Sequence, residues 1–364
     1  MKHKITTIFM AVLLFGMSLC CWFRKPAESS ESERRVLAQF PEISADAILS
    51  GKFMKDFESY TLDQFPLRDG FRSVNSFTTL MVFGRQDTNG LYLEDGYLSK
   101  LEYPMQPKML DHAADRFRFI YEQYLAEKDN QVYFSIVPDK NCFLARESGR
   151  LSMDYEALVQ YMRERTDYMT YIDIMPLLSL EDYYCTDTHW RQECITDAAA
   201  ALAEGMGQRL SASYEERTLD HPFEGVYYGQ MALPVQPDTI RYLTNDTLEA
   251  CRVYIHDTGK PVETDVYNME KAVSRDPYEM FLSGANALMT IENPNAKTDR
   301  ELLVFRDSFG SSLVPLLCEN YAKVTLVDIR YVQSGMLGNL IDFEQQDVLF
   351  LYSTLILNNS LALK

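Results

Sequence analysis

The chain has 364 residues, of which 46% are hydrophobic and 12% aromatic, a globular composition and not a disordered one. Thirty-five basic side chains stand against 53 acidic ones, a net charge of −18. Such a surface repels nucleic acid and anionic lipid, so neither is an expected partner; a neutral or locally cationic polymer is an easier one.

Lys2 and Lys4 precede an uncharged apolar run over residues 5–23, and Arg24 and Lys25 close it. The run is 19 residues, close to the ~20 that cross a bilayer as a helix. A cleaved signal peptide has a shorter apolar core of about 7–15 residues and a small-x-small site. Ser18 and Cys20 make a poor site, and Leu19 is bulky for the position before a lipidated cysteine. The expectation is a signal anchor over residues 1–27 with its N-terminus in the cytoplasm, making a single-pass membrane protein with an extracytoplasmic ectodomain. The alternative is signal cleavage and secretion. From Glu28 onward 31 basic side chains face 53 acidic ones, a balance of −22.

Cys20 and Cys21 lie in the apolar run; Cys142, Cys185, Cys194, Cys251 and Cys318 follow it. No C-x-x-C pair stands outside the run, so neither a zinc site nor a thioredoxin-like motif is expected. A Cys185–Cys194 bridge and two free thiols are both open.

Residues 28–83 read as a Ser/Glu-rich linker followed by a mainly helical region, with Phe53, Phe57 and Tyr60 on one helical face. Residues 89–98, NGLYLEDGYL, predict a hairpin turning at Asp95-Gly96. Residues 108–128 form an amphipathic helix burying Leu110, Ala113, Phe117, Ile120, Tyr121 and Tyr124. Val132, Phe134 and Ile136 alternate in a strand ending at Pro138-Asp139-Lys140, and a helix near 155–165 and a strand near 170–174 complete another α/β step.

Asp187, Thr188, His189 and Trp190 precede a helix whose core face is Ile195, Ala198, Ala199, Leu202 and Met206. In extended backbone, residues two apart point the same way, so Asp187 and His189 project together. A carboxylate beside an imidazole fixes its tautomer and raises its basicity, as a general base requires. A surface Asp–His pair without a partner is the plainer alternative. His is scarce beyond the apolar run (His112, His189, His221, His256), and no further metal ligands stand near Asp187, so no metal is expected.

Between residues 213 and 276 the helical pattern breaks. Short runs at 225–228, 240–243 and 253–255 predict β-hairpins, with Tyr227, Tyr228, Tyr242 and Tyr254 as sugar-stacking candidates or ordinary strand packing.

Residues 301–330, ELLVFRDSFGSSLVPLLCENYAKVTLVDIR, read strand, turn, helix, strand, the unit of a parallel sheet. Ser308 sits where the strand hands over to the helix, the edge at which open α/β sheets bind ligands. There its hydroxyl can be exposed and nearby amides can face a developing oxyanion. Equally, serine caps helices at such places. Residues 347–352, DVLFLY, are another buried-strand pattern.

DTHW followed by DSF after an apolar strand, behind a single anchor, resembles the DHHW protein family, which is similar to the alginate O-acetyltransferase-like branch of the SGNH hydrolases. In order along the chain the resemblance takes in LAQFPEIS (37–44), FESYTLDQFPLRD (57–69), NGLYLEDGYLS, PDK (138–140), DPYEMFLSGAN (276–286) and VDIRY (327–331). It implies an α/β fold: an SGNH-hydrolase-like, permuted parallel sheet flanked by helices over residues 84–364, with the 213–276 segment a β-hairpin insert. It implies a triad of Ser308 as nucleophile, His189 as base and Asp187 as orienting acid, with no cofactor. Ordinary SGNH hydrolases place the serine first, hence the permutation. Thr188 stands where the family name has histidine, and Arg306 where a GDS motif has glycine. That arginine either crowds the oxyanion hole or attracts an anionic substrate group. Arg330, Tyr331, Trp190, Arg306 and Asn286 are the candidate substrate-binding residues, with Gly284 beside Asn286 on the oxyanion side. Arg330 pairing with Asp328 is the plainer reading. The implied function is a serine-dependent O-acetyltransferase or acetylesterase acting on a cell-surface or secreted polysaccharide, with an acyl-donor membrane protein as partner. The rival is a catalytically inactive glycan-binding or scaffold protein of the cell envelope.

Overall fold

A computed structural model of the chain describes residues 2–128 and 130–364. It divides into two compact units: residues 1–89 with 228–235, and residues 90–227 with 236–364.

The first unit opens with helix α1 (Lys2–Phe23), long and apolar enough to cross a membrane. Helices α2 (Lys52–Asp63) and α3 (Arg68–Phe77) follow. Phe53, Phe57 and Tyr60 do share a face of α2, and Phe40 packs edge-on against all three rings. Arg35 pairs with Asp63, and Arg68 and Arg72 with Glu33.

The second unit is built on an eight-stranded sheet. Its strands are β1 (Gln131–Val137), β2 (Thr170–Tyr171), β3 (Arg252–Ile255), β4 (Val262–Thr264), β5 (Leu288–Glu292), β6 (Glu301–Arg306), β7 (Lys323–Val327) and β8 (Asp347–Ser353). They lie in the order β4-β3-β5-β7-β6-β8-β1-β2. The five from β7 to β2 pair in parallel, and β5, β3 and β4 extend the sheet antiparallel. The run at 302–305 is therefore the middle of β6, flanked by β7 and β8.

A strand with neighbours on both edges and helices on both faces must be apolar throughout. In β6, Leu302 and Val304 face one layer while Leu303 and Phe305 face the other. Helices α7 (Thr196–Gly205) and α8 (Gly310–Leu317) cover the first face, through Ala198, Ala199, Leu202, Leu313, Leu316 and Leu317. Helices α4 (Pro107–Ile120) and α6 (Tyr155–Arg165) cover the second, where Phe117 contacts Phe134, Phe350 and Tyr352 at 4.9–5.9 Å between centroids. Helix α5 (Asn141–Ser148) follows directly on β1.

Three expectations need correction. The stretch at 225–228 is not a hairpin strand: Val226–Met231 is a short helix. The strand expected over 170–174 pairs only at Thr170 and Tyr171, because the backbone turns into a 3-10 helix at Met175–Leu177. The helix expected to reach Lys128 is α-helical only to Ile120 and widens into a π-helical segment, Tyr121–Leu125. The hairpin around Asp95-Gly96 forms between Leu91–Glu94 and Tyr97–Lys100, both turn residues having positive φ (47° and 84°) as a type I′ turn requires.

Candidate active site

The parallel strands end together on one edge of the sheet, and Asp139, Lys140, Arg306, Asp307, Asp328 and Ser353 are buried at those ends. Strand β6 ends at Arg306, and Asp307 and Ser308 turn the backbone into α8. The Asp307 carboxylate holds this turn from two sides, accepting from the Phe309 amide (3.0 Å) and from the Ser353 amide at the end of β8 (2.7 Å). Gly310 is required here, since a Cβ would lie 2.9 Å from Cβ of Arg306.

Ser308 is half-buried, and its Oγ lies 2.8 Å from His189 Nε2. His189 Nδ1 lies 2.6 Å from Asp187 Oδ1. A carboxylate only accepts, so Nδ1 carries the proton and Nε2 is free to accept from the serine hydroxyl. Asp187 is 1% exposed, and its second oxygen accepts from the Val226 amide at 2.8 Å. The three side chains form one continuous relay across 119 and two positions of sequence. Among the described residues, the Ser308 amide N–H donates to no acceptor.

The loop carrying Asp187 is pinned from below. Lys140, fully buried at the end of β1, donates from Nζ to the carbonyl oxygens of Tyr184 (2.7 Å), Cys185 (3.1 Å) and Asp187 (2.7 Å). Burial pushes its ammonium down to about 8, against the nearby Asp238 and Asp187 charges, which favour it. Asp238 accepts from the amides of Cys185 and Thr186 at 2.7 Å each and from the Thr186 hydroxyl at 2.5 Å. Gly225 passes so close that a Cβ would sit 2.4 Å from the Asp187 nitrogen. Asp139 is buried beside Lys140, accepting from Tyr155, Thr354 and the Asn141 amide; burial pushes its carboxyl up to about 6.

The His189 ring is held by stacking as well. Tyr278 lies parallel to it at 3.8 Å between centroids and 7° between planes. The Tyr278 hydroxyl is bonded to Ser312 Oγ (2.9 Å) and reaches the Ser308 carbonyl (3.4 Å). Thr188 turns its hydroxyl to Tyr227, 3.1 Å away.

The other candidate residues divide. Trp190 is fully buried and donates to the Phe309 carbonyl (3.1 Å) and Ser312 Oγ (3.0 Å), so it buttresses α8 and has no surface for a substrate. Arg306 is also fully buried: it donates to the Asp307 and Gly284 carbonyls and to Ser311 Oγ (3.1 Å). It does not project outward. The position admits an arginine because the guanidinium turns under the serine loop. Arg330 is engaged by Asp328 through three contacts of 2.6–3.1 Å. Asn286 donates to the carbonyls of Leu282, Ser283 and Gly284, closing a turn in which all three have positive φ. Tyr331 is 53% exposed. Cys185 and Cys194 are free and half-buried. Among the described residues, no group of His, Cys, Asp and Glu is arranged to hold a metal.

Lys140, Asp238, Gly225 and Tyr278 were not expected in this site. Each lies far along the chain from the residue it steadies, and local spacing carries no signal for such pairings.

Comparison with known proteins gives a family match over part of the chain and a shared fold. The family model described as "DHHW protein" matches residues 160–327. A DHHW family protein from Eubacterium siraeum superposes with a TM-score of 0.60 at 20% identity, over 76% of this chain and 95% of that one. Bacillus cereus PatB1, solved with a sulfonyl adduct, gives 0.57 at 19% identity, over 73% and 95%. The O-acetyltransferase domain of Pseudomonas putida AlgJ gives 0.46 at 15% identity, over 74% and 92%. No curated protein matches the chain in sequence.

Proposed function

We propose serine-dependent acyl transfer for this chain, which the DHHW family model matches over residues 160–327: an O-acetyltransferase or acetylesterase acting on a cell-surface or secreted polysaccharide. The observation that carries this is the unbroken relay Asp187–His189–Ser308 at the edge of a parallel sheet. In this reading the Ser308 oxygen attacks an acetyl carbonyl while its proton passes to His189 Nε2. Asp187 holds the proton on Nδ1 and balances the imidazolium. The Ser308 amide faces the oxyanion, a contact of a kind worth roughly 3–4 kcal/mol per donor. His189 then returns its proton to the departing alcohol. A sugar hydroxyl, or water, takes the acetyl group from Ser308 in the reverse sequence.

The same reading takes α1 as a single-pass anchor with the ectodomain outside the cytoplasm, the sheet as a permuted SGNH arrangement, and residues 213–276 as its insert. A membrane protein would supply the acyl group. Tyr331, exposed beyond the end of β7, remains a candidate for sugar contact.

The test is covalent. PatB1 carries a sulfonyl adduct, and a sulfonyl fluoride is expected to add one sulfonyl mass to this chain. Ser308→Ala should remove both the adduct and turnover of p-nitrophenyl acetate. A wild-type chain that takes no adduct and turns over no ester would be the inactive glycan-binding or scaffold protein instead.

A further inference from the structure

Helix α3 is turned inside out. At 100° per residue, Leu67, Phe71 and Val74 fall on one face, with Phe77 at its edge. These are 73%, 51%, 60% and 53% exposed, while Ser76, on the opposite face, is buried at 4%. Arg68 and Arg72 lie on the inner flank, tied to Glu33 and to the Gly229 carbonyl. The apolar strip continues past the helix through Met81, Val82 and Phe83, which are 57%, 63% and 75% exposed. A soluble helix buries such a strip; a contiguous exposed one marks a surface that something else covers.

We propose that α3 lies on the lipid–water interface of the bilayer that holds α1, with Leu67, Phe71, Val74 and Phe77 set into the zwitterionic headgroup region. This rests on the reading of α1 as a membrane anchor. Three observations select lipid as the occupant. First, the chain is clamped just beyond the anchor: Gln64 binds both the amide and the carbonyl of Ala27, at 2.9 Å each. Ala27 lies four residues past α1, hence within ~14 Å of its end by chain length alone. Second, Arg24 at the end of the anchor and Leu67 at the start of α3 line the same hollow. Third, residues 24–89 carry nine basic and ten acidic side chains, so this stretch escapes the repulsion that the acidic remainder meets at a membrane. Interfacial helices present this pattern of an apolar face flanked by arginine.

The test uses the full chain in phosphatidylcholine vesicles, with unlabelled or dibrominated acyl chains, reading tryptophan fluorescence. Phe71→Trp, in a Trp22→Phe background, is expected to be strongly quenched by brominated lipid. Asp69→Trp, exposed on the opposite face, is expected not to be. Trp22 of the unaltered chain reports separately on the anchor, each signal being read as the difference from Trp22→Phe, in which Trp190 is the one tryptophan left. If Trp22 is quenched and Phe71→Trp responds no more than Asp69→Trp, the docking is overturned while the anchor stands. If neither Trp22 nor Phe71→Trp responds, both fail. Crosslinking through α3 to a second copy or another protein, with Phe71→Trp unquenched, also overturns it.

Discussion

Helices α3 and α8 face their surroundings in opposite ways. All eight residues of α8 are buried, serines included, and its polar groups are matched: Ser312 Oγ meets Trp190 and Tyr278, and Ser311 Oγ meets Arg306. Helix α3 buries one serine and leaves its large apolar side chains in the open. Burying polar groups is costly unless each finds a partner, and exposing apolar ones forgoes the main driving force of folding. A chain that does both is spending stability on two different tasks. At α8 the return is a fixed serine; at α3 it is an uncovered surface.

The comparison breaks most sharply at the relay. Asp187→Asn keeps the size of the side chain but lets it donate to His189, which inverts the tautomer. Acyl turnover should fall by ~10⁴-fold, with folding intact by circular dichroism. A loss below tenfold would reduce the relay to a structural hydrogen-bond chain. Leu313→Ala, in the buried face of α8, is expected to cost about 2–5 kcal/mol in urea unfolding.

Lys140 sharpens the contrast through pH. Its folded-state value of about 8 lies below the ordinary 10.5, because burial disfavours the ammonium. Between these values the unfolded chain binds more protons, so stability attributable to this group rises with pH across that window. The wild type should therefore gain on Lys140→Met between pH 8 and 10, by up to about 3 kcal/mol. Acyl turnover of Lys140→Met should drop at every pH, since three carbonyls of the Asp187 loop lose their donor. A flat stability difference across the window would mean that the folded chain keeps this lysine charged as the unfolded chain does, so that burial does not lower its value.

Much of this was legible in the sequence. The β6 run, the Asp95-Gly96 turn and the Asp187–His189 pair are local patterns, and period and spacing describe them. What the residues alone left open was partnership. Arg306 looked like a substrate contact or an obstruction because sequence gives its charge and not its direction; folded, it points under the turn into carbonyl oxygens. Trp190 stood among the candidate substrate-binding residues for the same reason, and it is fully buried. Lys140 and Asp238 were invisible because their partners lie 44–53 residues away and are mostly backbone atoms, which have no residue identity. At 225–228 a short run reads as a strand, whereas the close approach of Gly225 to the Thr186–Asp187 backbone leads into a helix, a contact that the run itself does not encode.

The smallest effect discriminates most finely between the two helices. Val74 is 60% exposed on α3, whereas Val314 is fully buried in α8. Val74→Ser removes apolar surface that the protein itself does not cover, so urea unfolding of the chain should move by less than about 0.5 kcal/mol. Val314→Ser leaves a hydroxyl among Leu and Phe side chains and should cost at least about 2 kcal/mol. If Val74→Ser instead costs as much as Val314→Ser, then α3 is packed against protein when the chain folds, and its strip is core rather than a surface held for lipid.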